Sequence, residues 1–315
     1  MNNKIPLLCI VGPTASGKTG LSVELAERYN GEIVSCDSMQ IYKGMDIATA
    51  KVTKEEARGI PHHLVDFLPI GEAFSVSDYV KLAHKVIAEI YERGKLPILV
   101  GGTGLYYSSL VGNITFSEEK IDEKLRAELN EQYQREGGEV LLKQLAEFDP
   151  ETASTLHPNN GKRIIRAIEI YRNTGITMSE QMKRSKEKPS PYNYLTICLT
   201  YKDRQKLYDR INLRVDKMLG AGILDEAKAF FNQNPGKTAS AAIGIKEFKP
   251  YFDGECSLED AVEKLKMETR RYAKRQLTWF RRCEDVKFLE CDCFDILSES
   301  ERLINEWNFF KIFLK

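Results

Sequence analysis

The segment Gly12-Pro13-Thr14-Ala15-Ser16-Gly17-Lys18-Thr19 fits the pattern G-x-x-x-x-G-K-[ST] and lies between an apolar run, Ile5 to Val11, and an amphipathic stretch, Lys18 to Tyr29. Such a loop constrains everything around it. Its glycines let the backbone turn its N–H groups onto phosphate oxygens, and a helix starting at its end adds partial positive charge. The pattern works only with a strand before it and a helix after it, and the flanking residues supply both. Lys18 is placed to contact terminal phosphate oxygens, and the Thr19 hydroxyl to ligate Mg²⁺. Gly12 to Thr19 therefore predict a site for a di- or triphosphate.

The rest of the chain agrees with a parallel sheet covered on both faces. Glu32 to Ser35 reads as a second strand, Ser77 to Arg93 as a helix, and Leu96 to Val100 as a third strand entering Gly101-Gly102. In such folds function sits at the carboxyl ends of the strands. From about Thr115 the texture turns helical, and it closes at two prolines, Pro189 and Pro191, before a further strand at Asn193 to Thr200. The expectation is an α/β fold. It comprises a P-loop NTPase-like core, residues 1–115 and 191–315, with a parallel sheet flanked by helices, interrupted by an all-helical insertion domain at 116–190.

The loop does not say which phosphorylated compound it holds. A P-loop NTPase usually supplies a metal-binding Asp at the end of an apolar strand, but Leu96 to Val100 runs into Gly-Gly-Thr-Gly with no acid, and no Asn-Lys-x-Asp guanine signature is present. Asp37, after the second strand, is the carboxylate placed near the phosphates; Cys36-Asp37-Ser38 also reads as an ordinary Asp turn. No stretch approaches the roughly 18–20 apolar residues of a membrane span, and the opening MNNKIPLLCIVG does not read as a signal peptide. Seven cysteines without a C-x-x-C pair favour neither a disulfide framework nor a zinc site, so a cytoplasmic protein is expected. His62-His63, lacking acidic neighbours in sequence, reads as structural, and Cys291-Asp292-Cys293 as a buried strand end.

Six motifs now stand together: GPTASGKT (12–19), DSMQIY (37–42), GGTGLY (101–106), KRIIRAIE (162–169), IGIKE (243–247) and TRRYAKRQLTWFRR (269–282). In order and spacing the chain resembles the bacterial tRNA dimethylallyltransferases, also called tRNA isopentenyltransferases, over almost its whole length. It departs from the family mildly at Met39, Ile41 and Ile245, and it lacks the zinc-finger extension of some eukaryotic relatives. The resemblance implies transfer of a dimethylallyl group from dimethylallyl diphosphate to N6 of the adenosine just 3′ of the anticodon. It also implies that the loop holds a diphosphate leaving group, which accounts for the missing acid on the third strand.

By that resemblance Asp37, Ser38, Met39 and Gln40 meet the target nucleotide, and Thr103, Ile243, Gly244, Lys246, Lys274, Arg275, Gln276 and Arg281 contact tRNA. Lys162, Arg163 and Arg166 look like a second tRNA-contacting set, with Arg126 as a further contact. The chemistry fits these residue types. An exocyclic amine conjugated with a purine ring needs a base as its C–N bond forms, and Asp37 is the candidate. Lys18, the loop amides, Mg²⁺ on Thr19 and one arginine would neutralise the departing diphosphate. Arg210 is the first choice and Arg214, one turn later, the alternative.

Net charge is zero, 46 Lys+Arg against 46 Asp+Glu, which excludes a wholly basic polycation but not local patches. Residues 117–147 carry nine acidic and five basic side chains, and residues 161–188 eight basic and three acidic. Ser257 with Asp260 reads as a capping pair opening a long helix. At about 100° per residue, Arg270, Arg271, Lys274, Arg275, Arg281 and Arg282 share an arc of about 140° that no acid interrupts, a face suited to a phosphate backbone. The resemblance implies a single-chain prenyltransferase whose partners are the tRNA anticodon stem-loop and dimethylallyl diphosphate, with Mg²⁺ as cofactor. A P-loop small-molecule kinase and a nucleic-acid-binding NTPase remain the alternatives.

Overall fold

The computed structural model describes residues 4–116, 122–185 and 187–307. The chain forms two compact units, Met1–Val111 with Pro191–Lys315, and Gly112–Ser190. In the first, β1 (Ile5–Val11), α1 (Lys18–Arg28) and β2 (Gly31–Ser35) are followed by a single-turn α2 (Lys54–Ala57), β3 (His62–His63), α3 (Val76–Glu92), β4 (Leu96–Gly101) and α4 (Gly104–Val111). After the second unit come β5 (Tyr192–Thr200), α10 (Arg204–Gly220), α11 (Ile223–Phe231), the short α12 (Lys249–Phe252), α13 (Leu258–Phe280), β6 (Val286–Glu290) and α14 (Ile296–Glu306). The helices from α5 (Glu123–Glu136) to α9 (Met178–Ser185) belong to the second unit. The six elements read from the sequence in this unit start and end within a residue of expectation; β3, two residues long, and β6 were too short or too mixed to show a period.

The six strands among the described residues form one parallel sheet in the order β3-β2-β4-β1-β5-β6. Leu7 to Val11 and Ile197 to Leu199 are buried, because a parallel sheet carries helices on its faces; hence their unbroken apolar runs. Insertion of β4 between β1 and β2 has a functional effect. It makes neighbours of the loops that follow all three strands, although about 90 residues separate the first from the last.

At the opposite end of the sheet, Glu32 on β2 is buried and bonded to His63 Nε2 at 2.7 Å, Arg93 Nη2 at 2.6 Å and Lys95 Nζ at 2.9 Å. His63 therefore has an acidic partner that its sequence neighbours did not reveal. Burial opposes ionisation of Glu32, but the bonds from Lys95, His63 and Arg93 outweigh it and hold the carboxyl near 2. A native value below the unfolded one gives stability that is complete above about pH 4.5 and is lost as pH falls towards 2. Glu32→Gln should cost about 3 kcal/mol at pH 7 in urea denaturation, and the gap to the parent protein should shrink between pH 5 and 2.

The second unit contains α5 (Glu123–Glu136), α6 (Gly138–Phe148), α7 (Pro150–Thr155), α8 (Gly161–Thr174) and α9 (Met178–Ser185) around Leu129, Leu141, Leu145, Ile164 and Ile168. It begins four residues before the expected boundary at 116, directly after α4. Asn113 Nδ2 donates to the Pro189 carbonyl at 3.1 Å, joining the entering and leaving segments. The insertion thus departs and returns at one place.

Candidate active site

The phosphate loop has the backbone its glycines permit. Gly12 (φ 139°), Ala15 (φ 62°) and Gly17 (φ 98°) take left-handed conformations, and a side chain at Gly12 would lie 2.6 Å from the Leu199 carbonyl on β5. The Lys18 ammonium donates to the carbonyls of Gly12 at 3.1 Å and Pro13 at 2.7 Å. Burial, reinforced by the nearby Arg214 and partly offset by Asp37, pulls the Lys18 amine down to about 8. Thr19 is exposed at the first turn of α1, and the Ser16 hydroxyl is buried without a hydrogen-bond partner.

Beyond β2, Asp37 Oδ1 accepts the backbone N–H groups of Met39 at 2.9 Å and Gln40 at 3.4 Å. The plain reading as a turn residue is thus correct as well, and it leaves Oδ2 outside these bonds. Beyond β4, the Gly-Gly-Thr-Gly turn is set by close approach. A Cβ at Gly101 would meet the Cys36 carbonyl oxygen at 2.1 Å, and one at Gly104 the Trp279 indole at 2.3 Å. Thr103 Oγ1 accepts the Ser38 N–H at 3.0 Å, and its own N–H donates to the Cys36 carbonyl. Thr103 therefore holds the Asp37 turn in position.

These loops border a cavity of about 640 Å³. Thr14 to Thr19, Asp37 to Gln40, Arg210, Arg214, Ile243, Gly244, Lys246, Arg275 and Gln276 all line it, which brings together most of the residues expected from sequence. Of the two arginines, Arg210 is exposed and tied through Nε to the Ala15 carbonyl at 2.9 Å, with its guanidinium over the Tyr201 ring. Arg214 points inward: burial lowers its pKa, and Asp37 is the leading charge that counters this. Both arginines line the cavity, Arg210 braced on the loop and Arg214 the more enclosed of the two.

One wall of the cavity is apolar, made by Ala48, Val215, Met218, Ala242 and Leu265. The segment carrying Ala48 is pinned by residues with no sequence signal for the task. Glu226 accepts the N–H groups of Asp46, Ile47 and Ala48 at 2.7 to 2.8 Å, and Gln40 Nε2 donates to the carbonyls of Thr49 and Ala50. Gly244 (φ 103°) packs on Ala48, and its N–H donates to the buried Glu247 carboxylate, whose pKa burial raises. Tyr272 of α13 also lines the cavity, one turn before Gln276.

Helix α13 opens with the expected capping box of Ser257 and Asp260. Lys274, Arg275, Arg281 and Arg282 are exposed, and no described carboxylate pairs with them. The face is less uniform than its angles suggested: Glu268 pairs with Arg271 at 2.7 Å, and Arg270 donates to Asn212 at 2.7 Å. Gln276 is 5 % exposed, and both ends of its amide meet backbone groups: Oε1 accepts the Thr14 N–H and Nε2 donates to the Gly102 carbonyl. It lines the cavity and stands apart from the exposed cations of the helix.

In the second unit Lys162 and Arg163 are exposed. Arg126 is not a free cation. Its guanidinium grips Glu169 through two bonds of 2.6 and 2.7 Å, and Arg166 stands 3.7 Å from the same carboxylate. Glu169, expected on the polar side of its helix, is 2 % exposed, because burial with Arg126 satisfies it. Cys291 is half-buried and Cys293 exposed, so that segment is not a buried strand end; the Asp292 carboxylate accepts the N–H groups of Lys202 and Asp203.

Residues 40–283 match the family model described as IPP transferase. This chain belongs to that family. It is 50 % identical over 290 residues to the tRNA dimethylallyltransferase of Bacillus subtilis strain 168, covering 92 % of each chain. To the enzyme of the same name from Caldanaerobacter subterraneus subsp. tengcongensis it is 46 % identical, covering 96 % of this chain and 97 % of the other. Among solved structures, the full-length tRNA isopentenylpyrophosphate transferase of Bacillus halodurans superposes with a TM-score of 0.71 at 45 % identity, over 99 % of this chain and 97 % of that one. A eukaryotic dimethylallyltransferase acting on tRNA gives a TM-score of 0.82 at 31 % identity, over 98 % and 80 %. Within this IPP transferase, α13 brings its basic face and its cavity-lining face to the same end of the sheet.

Proposed function

We propose that the protein transfers the dimethylallyl group of dimethylallyl diphosphate to N6 of the adenosine 3′-adjacent to the anticodon of tRNA, with diphosphate as the second product. One observation carries this reading: a single cavity combines the phosphate loop, the Asp37 carboxylate, the inward Arg214 and an apolar wall. The diphosphate lies against the loop amides, Lys18 and Arg214, and the five-carbon group against Ala48, Val215, Met218 and Leu265. As the allylic C1–O bond breaks, its electron pair leaves with the diphosphate. The N6 lone pair forms the new C1–N bond, and the N6 proton passes to Asp37. The base must leave its stack to arrive there, and Ser38, Met39 and Gln40 stand beside Asp37 to receive it. All these residues come from one chain, which suits a monomeric enzyme.

The residues present suit Mg²⁺. The Thr19 hydroxyl is exposed at the loop, and the Ser16 hydroxyl is buried and unpartnered. No group of three or more described His, Cys, Asp or Glu side chains could hold an ion alone. An ion on Thr19 would take its other ligands from diphosphate oxygens and water, as Mg²⁺ habitually does. When bound it would neutralise charge on the diphosphate.

A labelling assay tests the proposal. Dimethylallyl diphosphate carrying a radiolabel in the allyl group should transfer label to unmodified tRNA, with retention of label in the small-molecule fraction overturning the proposal. Label absent from RNA together with ATP consumption on a small acceptor would instead identify a kinase. The basic face makes a separate prediction. Reversing charge at Arg275 and Arg281 should weaken tRNA binding at least tenfold near 0.1 M salt and reduce the slope of log affinity against log salt by about 2. Filter binding across a salt series measures both quantities.

A further inference from the structure

The phosphate loop is held from outside by one side chain of α13, and the bonds show what that hold controls. Gln276 Oε1 accepts the Thr14 N–H at 2.9 Å, and Gln276 Nε2 donates to the Gly102 carbonyl at 3.0 Å. The Thr14 N–H and the Pro13 carbonyl belong to the same peptide unit, and that carbonyl accepts the Lys18 ammonium at 2.7 Å. Peptide units are planar, so fixing the N–H direction fixes the carbonyl direction. A relay therefore runs from the Gly102 carbonyl through the Gln276 amide and the Pro13–Thr14 peptide to Lys18.

Two further observations show that the relay is specific. Gln276 is buried and nothing in the bonds contradicts its amide orientation, since its acceptor meets a donor and its donor an acceptor. A Cβ at Gly102 would lie 2.0 Å from Gln276 Nε2, so the bond is possible only with glycine there. We infer that Gln276 is a positioning residue of the diphosphate site, which sets the Pro13–Thr14 peptide and through it the Lys18 ammonium, and that it acts on the diphosphate rather than on RNA. The inference rests on the proposed reading of the loop as a diphosphate site.

Inorganic pyrophosphate with Mg²⁺ is a suitable probe, because it reports the site without the allyl group or RNA. Gln276→Leu removes both bonds at nearly constant volume, and Gly102→Ala breaks the same relay without changing α13. Each should weaken pyrophosphate binding by calorimetry, and raise KM for dimethylallyl diphosphate, about tenfold, the effect of losing a buried hydrogen bond. Affinity for tRNA should stay within about twofold. A role confined to folding would lower both affinities together, and an RNA contact would lower tRNA affinity alone; either result overturns the inference, as does unchanged pyrophosphate binding in both variants. Should one variant fail to fold, the other carries the test. Failure of the parent protein to bind pyrophosphate would remove the diphosphate reading itself, and the inference with it.

Discussion

Asp37→Asn will lower the rate of dimethylallyl transfer by about 10²–10⁴ while leaving tRNA affinity nearly unchanged. Asparagine suits this test for a structural reason. Asp37 Oδ1 accepts the N–H groups of Met39 and Gln40, and an asparagine carbonyl can accept both, so the turn that presents residues 38–40 survives. What disappears is the ability to take a proton from N6. Single-turnover transfer and equilibrium tRNA binding, measured on the same preparation, separate the two effects. Loss of tRNA affinity equal to the loss of rate would make Asp37 a binding residue, and a rate within tenfold of the parent would remove it as the base.

The second large effect concerns Lys18. Lys18→Met keeps the length of the side chain and deletes the charge facing the diphosphate, and kcat/KM should fall about 10²–10³, as for loss of a preorganised donor to developing negative charge. Because burial and Arg214 bring the amine down to about 8, the charged form that binds diphosphate is lost as pH rises through that value. Pyrophosphate affinity of the parent should decline by about fivefold between pH 8 and 9 from this group, a dependence missing in Lys18→Met. Titration calorimetry of both proteins across pH 7 to 9.5 gives the difference and cancels the ionisation of pyrophosphate itself. A flat profile in the parent would show that Lys18 is not the titrating contact.

The parts of this site that could be read in sequence are those built from contiguous residues. The phosphate loop, its strand and its helix occupy 24 consecutive positions from Ile5 to Arg28, and their spacing alone states their purpose. The capping box at Ser257 and the arc of cations on α13 likewise follow from local periodicity. Asp37 was recognised as close to the loop because parallel strands present their ends together.

Residues whose roles depend on distant partners were legible only in part. Gln276 meets Thr14 across 262 positions and Glu226 meets Asp46 across 180, so no window of sequence contains either contact. Helical angles put Glu169 among the arginines of α8, which is where its charge belongs, but burial was decided by Arg126 on another helix. Arg210 and Arg214 lie on the same turn-to-turn row of α10, and only the packed cavity distinguishes the exposed one from the enclosed one.

The sheet order also bears on how the chain reaches this state during synthesis. Strand β1 carries the phosphate loop and emerges from the ribosome first, yet its flanking partners β4 and β5 follow about 90 and 190 residues later. Pairings so distant along the chain must pay loop-closure entropy before they give any return, which makes them slow. The nascent protein therefore holds its most apolar strand, Leu7 to Val11, without neighbours while the intervening residues are made. The centre of the sheet is therefore complete only once β5 has been made.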